Sequence, residues 1–216
     1  MNTELLQDIS ENLQKGNAAE VTAKVQQAID EGMSASTILN EGLMAGMDVI
    51  GVRFKNNDIF IPEVLIAARA MSAGTDLLRP LLVGDNVEQK GTVVLGTIKD
   101  DLHDIGKNLV RMMMESKGLN VIDLGTDVAP QAFIDSAMEH KADIIACSAL
   151  LTTTMVHIKD VVAALADSPL SGKVKLMIGG APVNEDFCQS VGADCYTPDA
   201  STAAERALEL CAAAHA

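Results

Sequence analysis

Three residues set the question: Asp101, His103 and Gly106, in the run Ile98-Lys-Asp-Asp-Leu-His-Asp-Ile-Gly106. A carboxylate two residues from a histidine can hold one imidazole nitrogen, fix the tautomer and leave the other nitrogen free to bind a metal. The run follows Gly91-Thr-Val-Val-Leu-Gly96, short and apolar enough for a buried strand, and leads into a helical pattern from Lys107 to Met114. Ligands of open α/β sheets bind at the carboxyl ends of their strands, which is where this pair falls.

Plainer readings compete with that one. A lone histidine after a strand is most often a polar loop residue. A zinc site wants further His or Cys at ligand spacing, and His140, His157 and His215 form no such cluster with Cys147, Cys188, Cys195 and Cys211. No G-x-G-x-x-G follows the strand, which argues against a dinucleotide site. A phosphoacceptor receiver domain would end its third strand on aspartate, and this chain has Cys147-Ser148 there.

The elements that must position these residues alternate from Gly91 onward. Strands are expected over 92–97, 120–123, 143–148, 174–178 and 194–196, with helices near 104–117, 130–140, 155–166, 184–191 and 201–214. Pro130 suits a helix's first turn, Gly192 a helix end, and Ser201-Thr-Ala-Ala-Glu205 a capping box. Short strands separated by helices imply a parallel sheet covered on both faces. The expected order is 2-1-3-4-5, flavodoxin-like and Rossmann-like, with its switch point between strands 1 and 3. His103 and Ser148 then flank one crevice.

Residues before about 85 read as helices alone. Leu5, Leu6, Ile9 and Leu13 share a face, and Asn17-Ala-Ala-Glu20 reads as a capping box opening a helix that carries Val21, Val25 and Ile29. Ser34 or Ser36 opens a third helix through Met47, and Pro62 sits in the first turn of a fourth reaching Leu82. Four helices with short loops suggest an antiparallel bundle. The expected division is a helical domain over 1–88 and an α/β domain over 89–216, joined by the polar, glycine-bounded hinge 82–91.

The Asp101-x-His103-x-x-Gly106 pattern resembles the cobalamin-binding domain shared by methionine synthase, B12-dependent mutases and corrinoid methyl carriers. Ser148-Ala-Leu150 and Gly179-Gly180, each ending an expected strand, complete that family's pattern. Residues 47–71 resemble the helical cap that precedes the domain in methionine synthase and in the methyl carriers. The resemblance implies a cobalamin, as methylcobalamin or a related corrinoid, with His103 below the cobalt in place of the cofactor's own base. It implies that the nucleotide tail enters an apolar channel in which Gly106 leaves it room, with Leu102, Asp104 and Ile105 among the cofactor-binding residues. Ser148 would hydrogen-bond the buried tail base, Leu150 would line the corrin edge or channel, Gly179-Gly180 would let backbone approach the tail, Tyr196 to Ala200 would close its far end, and Thr152 is a further cofactor-binding candidate. Phe60 and Met71 are the cap's candidates for apolar contact with the upper face. Methionine synthase extends its Asp-His pair with a serine; here Thr154 takes that place, either continuing the relay or merely capping the next helix.

The implied function is that of a methyl carrier, not an enzyme by itself. It would receive a methyl group on cobalt from a substrate-specific methyltransferase. A second methyltransferase would pass that group to a thiol or tetrahydrofolate, with a reductive activase as a further partner. A small mutase subunit, a B12-based sensor and a cofactor-free scaffold are the alternatives. Composition narrows the partners: 48% of the 216 residues are hydrophobic but only 2% aromatic, so the core is aliphatic and methionine-rich. A net charge of −14 and a pI near 4.5 argue against nucleic acid or anionic membrane. No apolar run reaches spanning length, the cysteines give no disulfide framework, and a cytoplasmic location is expected.

Overall fold

The computed structural model describes residues 2–82 and 90–214, so most of the hinge expected over 82–91 lies outside the described residues, as does His215. The chain forms two compact units, 1–88 and 89–216.

The first unit is a four-helix bundle. Helix α1 (Asn2–Gln14) buries Leu5, Leu6, Ile9 and Leu13, and α2 (Ala18–Asp30) buries Val21, Val25 and Ala28, with Ile29 turned half out. No capping box forms at Asn17; its side-chain amide donates instead to Asn12 Oδ1 at 3.3 Å. Ser34 opens the third helix, its hydroxyl accepting from the Thr37 amide at 3.0 Å. That helix changes pitch midway, running as α3 (Ala35–Thr37), a π-helical stretch (Ile38–Met44) and α4 (Ala45–Lys55). Hydrophobic spacing does not forecast the wider turn. Gly46 lets this helix lie against α1, since a Cβ there would stand 3.0 Å from the Ser10 carbonyl oxygen. Helix α5 (Ile61–Leu82) has Pro62 in its first turn and Glu63 accepting from the Phe60 amide at 3.1 Å.

The second unit alternates strand and helix: β1 (Thr92–Thr97), α6 (Ile105–Ser116), β2 (Asn120–Asp123), α7 (Pro130–His140), β3 (Ile144–Ser148), α8 (Ile158–Ala166), β4 (Lys175–Gly179), α9 (Glu185–Val191), β5 (Cys195–Tyr196) and α10 (Ala200–Ala214). The strands are parallel in the order β2-β1-β3-β4-β5. Register sets Thr97 beside Ser148 and Ser148 beside Gly179, so the three line up at the carboxyl edge of the sheet. Val94, Ile145, Ile178 and Phe133 lie in the core that α7 and α8 cover. On the edge strand, Asp123 takes Lys107 Nζ at 2.5 Å and Arg111 at 3.0 Å, tying α6 to β2. Lys107 is buried, so its stem packs while its charge is met.

Helix α10 departs from expectation at its start. Asp199, not Ser201, caps it, accepting from the Thr202 amide and hydroxyl at 2.8 Å each. Ser201 is buried against the unit's interior. No helix among the described residues is long and apolar enough to cross a membrane.

Candidate functional site

Strand β1 ends at Thr97 on the switch side of the sheet, and the loop from Ile98 to Asp104 turns back over the strand ends. Thr97, fully buried, donates its hydroxyl to the His103 carbonyl at 2.8 Å and pins that turn from below. Asp127, from the loop after β2, pins it from the side: its carboxylate accepts from the Asp100 amide at 2.7 Å and its own amide donates to the Asp101 carbonyl at 3.0 Å. Sequence reading did not single out Thr97 or Asp127. Asp100 and Asp127 both hold positive φ, +64° and +55°. Aspartate tolerates that left-handed region better than most residues, which is the one sequence signal either offered.

Within the turn, Asp101 is wholly inaccessible to solvent and shares its two oxygens between two segments. Oδ1 lies 2.7 Å from His103 Nδ1 and accepts from the His103 amide at 3.1 Å. Oδ2 accepts from the Leu150 amide and from the Thr154 hydroxyl, both at 2.8 Å. Burial pushes the Asp101 carboxyl up. The Leu150 amide, the His103 ring, the Thr154 hydroxyl and the His103 amide outweigh it and hold the group well below the usual carboxylate range. Thr154 is therefore no helix cap: its hydroxyl serves Asp101 and the Leu151 carbonyl, and makes no cap bond.

An ionised Asp101 at Nδ1 selects the tautomer with its proton there, which leaves a lone pair on Nε2. The His103 side chain is 50% exposed, and Nε2 has no protein partner among the described residues. Apolar side chains stand exposed in the same loops: Leu102 and Ile105 in one, Leu150, Leu151 and Val156 in the other. Exposed aliphatic groups beside an available imidazole nitrogen suit a flat, largely apolar ligand with a metal at its centre.

The remaining expected residues divide. Asp104, Gly106 and Thr152 are exposed near the turn, and a Cβ on Gly106 would meet nothing within 4 Å. Neither packing nor positive φ requires glycine there, which fits a position kept clear for a ligand. Ser148 is half-buried at the end of β3, and its hydroxyl bonds to none of the described residues. Gly180 has another explanation: at φ +120° a Cβ would fall 1.8 Å from the Ala149 carbonyl oxygen, so the protein's own backbone already fills that space. Gly179 is less crowded, 3.4 Å from the Thr197 carbonyl oxygen. Tyr196 packs half-buried on the core, and Ala200 is buried at the start of α10. Phe60 and Met71 lie in the helical unit, the first exposed and the second half-buried. Phe60 precedes α5 and Met71 lies eleven positions later within it, about 16 Å along the axis, so they do not share one spot.

A B12 binding domain model matches residues 91–208, and a second B12 binding domain model matches residues 5–79. The dimethylamine corrinoid protein of Methanosarcina barkeri is 41% identical over 210 residues, covering 97% of this chain and 98% of its own. A corrinoid protein of Desulfitobacterium hafniense is 36% identical over 209 residues, covering 95% and 97%. Among solved structures, a chain of the methanol:cobalamin methyltransferase complex of M. barkeri superposes with a TM-score of 0.87 at 32% identity, covering 97% of this chain and 80% of that one. A cobalamin-binding protein from D. hafniense gives 0.79 at 30% identity, covering 95% and 98%.

Proposed function

Since this chain belongs to the B12 binding domain family and its cofactor is a corrinoid, we propose that it carries a methyl group on that cofactor's cobalt between two methyltransferases. The observation that supports this most directly is the chain Thr154–Asp101–His103, which ends in a free imidazole nitrogen on an apolar rim. When bound, the corrinoid supplies a cobalt able to take up and release a methyl group.

The chain's own residues provide position and proton control. His103 would hold the corrinoid's cobalt through Nε2. Asp101 keeps the proton on Nδ1 and sets the ring's basicity, and Thr154 with the Leu150 amide keeps Asp101 ionised. Leu102, Ile105 and Leu150 would cover the apolar edge of the ring, while Gly106 and Ser148 would receive the nucleotide tail, the serine supplying a hydrogen bond that a buried base would otherwise lack.

We further propose that the methyl donor is a methylamine, as the name of the 41%-identical relative suggests, delivered by a substrate-specific methyltransferase. The acceptor enzyme uses a thiol or tetrahydrofolate, and a reductive activase rescues oxidised cobalt. The test is reconstitution of the full chain with a corrinoid, followed by electron paramagnetic resonance of the Co(II) state with 15N-labelled histidine. Histidine nitrogen coupling that disappears in His103→Ala is the expected result; no coupling in the unsubstituted protein overturns the ligand assignment. Methyl transfer from methylamines, methanol and methoxylated aromatics, each with its methyltransferase, then decides the donor.

A further inference from the structure

Beside the buried Asp101 link runs a second connection that none of these roles uses. Asp100 precedes Asp101, holds φ +64°, and carries an exposed carboxylate. Its Oδ2 lies 3.3 Å from Nε2 of His157, whose Nδ1 lies 2.8 Å from Oδ2 of Asp160 in the first turn of α8. His157 closes the single 3-10 turn Met155–His157, and its amide donates to the Thr154 carbonyl at 2.9 Å. The loop before α6 and the segment before α8 are thus joined inside, by Asp101 to Thr154 and the Leu150 amide, and at the surface, by Asp100 to His157.

A solvent-exposed polar contact of this kind contributes little by itself. Three features give this one a purpose. A non-glycine residue at positive φ is strained, and glycine would relieve the strain, yet the chain has a carboxylate there. His157 is only 27% exposed and is met by a carboxylate at each ring nitrogen, one from its own helix and one from the turn that presents His103. Lastly, Asp101 takes one bond pair from each segment, so any shift of residues 150–158 against residues 98–104 reaches the His103 ring through that single carboxylate.

We propose that Asp100 and His157 are positioning residues for His103, clamping the two segments so that Asp101 holds the imidazole at one height and tilt. The inference rests on the reading of His103 as axial ligand. Coordination by an imidazole is directional, so loosening the clamp lowers the fraction of cofactor with histidine bound without emptying the site.

The variants are His157→Ala, Asp100→Gly and the pair together, in the full chain. Without cofactor, hydrogen exchange of the Asp101, His103 and Asp127 amides should speed up about threefold to fivefold, the scale of a partly exposed ion pair, with the bundle amides unchanged. With corrinoid, the histidine-coupled fraction of the Co(II) signal should fall by a similar factor in each variant, and the double variant should be no worse than either single one. Asp100→Gly removes backbone strain and carboxylate together. A match to wild type in both measurements shows that only the backbone conformation matters and overturns the clamp, as does an intact histidine-coupled fraction in His157→Ala. If the unsubstituted protein itself shows no histidine coupling, the axial-ligand reading fails and takes the positioning role with it. Coupling present in wild type and unchanged in the variants rejects the clamp alone.

Discussion

At Asp101 one carboxylate serves four donors from two segments, and its replacement has a cost that depends on pH. Its folded-state pKa lies below the unfolded value, so it adds stability at any pH above about 4 and loses that contribution as acid protonates it. Asp101→Asn in the cofactor-free protein is expected to cost about 2–3 kcal/mol at pH 7, since a neutral amide replaces a charged acceptor. The gap to wild type should narrow from pH 4 to pH 2. Denaturant unfolding at pH 7 and pH 3 checks this, and an equal gap at both would show that Asp101 is not held ionised. Gly106 predicts the opposite pairing of stability and binding. A Cβ there meets nothing, and glycine is a poor helix residue, so Gly106→Ala should stabilise the cofactor-free protein by up to about 1 kcal/mol. Gly106→Leu should fold normally yet bind a tailless corrinoid better than full cobalamin. Equal uptake of the two would remove Gly106 from the tail path.

Element by element, the boundaries legible in the sequence are those with a strong local signal. Strand β1 and helix α7 begin and end where apolar runs, Pro130 and the polar turns place them. Cap positions are less legible: Asn17 turns its side-chain amide to Asn12 and caps nothing, and at α10 Asp199 is a better-placed acceptor than Ser201. The π-helical stretch Ile38–Met44 was hidden for another reason: a wider turn keeps helical backbone, and the apolar spacing still reads as helix. At Gly180 the strand-end turn has no room to adapt. Gly180→Ala should destabilise the α/β unit by about 3 kcal/mol or more, through backbone overlap and positive φ. Normal stability of that variant in thermal unfolding would mean the turn relaxes freely. Its effect on corrinoid binding should follow stability, in contrast to Gly106.

For the whole molecule the governing quantity is charge. With −14 net on 216 residues, long-range attraction favours partners with a basic docking face. Association with the substrate methyltransferase should therefore slow as salt rises, by about tenfold between 50 and 500 mM as the Debye length shortens. Stopped-flow or surface-capture kinetics at several ionic strengths would measure it. A rate independent of salt would place recognition in apolar contact alone.

The sequence by itself determined the alternation of strand and helix, the all-helical first unit and the parallel sheet order, and through its family resemblance it implied the cofactor class. Each of these is carried by periodicity or by a short motif: apolar runs between turn residues, and Asp101, His103, Ser148 and Gly179 at successive strand ends. Tertiary structure decided which groups meet. Thr154 lies 53 positions from Asp101, and the distance between its hydroxyl and that carboxylate follows from the β1–β3 register, not from any local pattern. The roles of Thr97 and Asp127 were invisible because a threonine ending a strand and an aspartate in a loop are common, and only the fold of the turn gives them the His103 carbonyl and the Asp100 amide as partners. Gly180 and Gly106 read alike in the sequence. The structure separates them because one faces the Ala149 carbonyl and the other open space, a difference set by how strands and loops pack rather than by residue type.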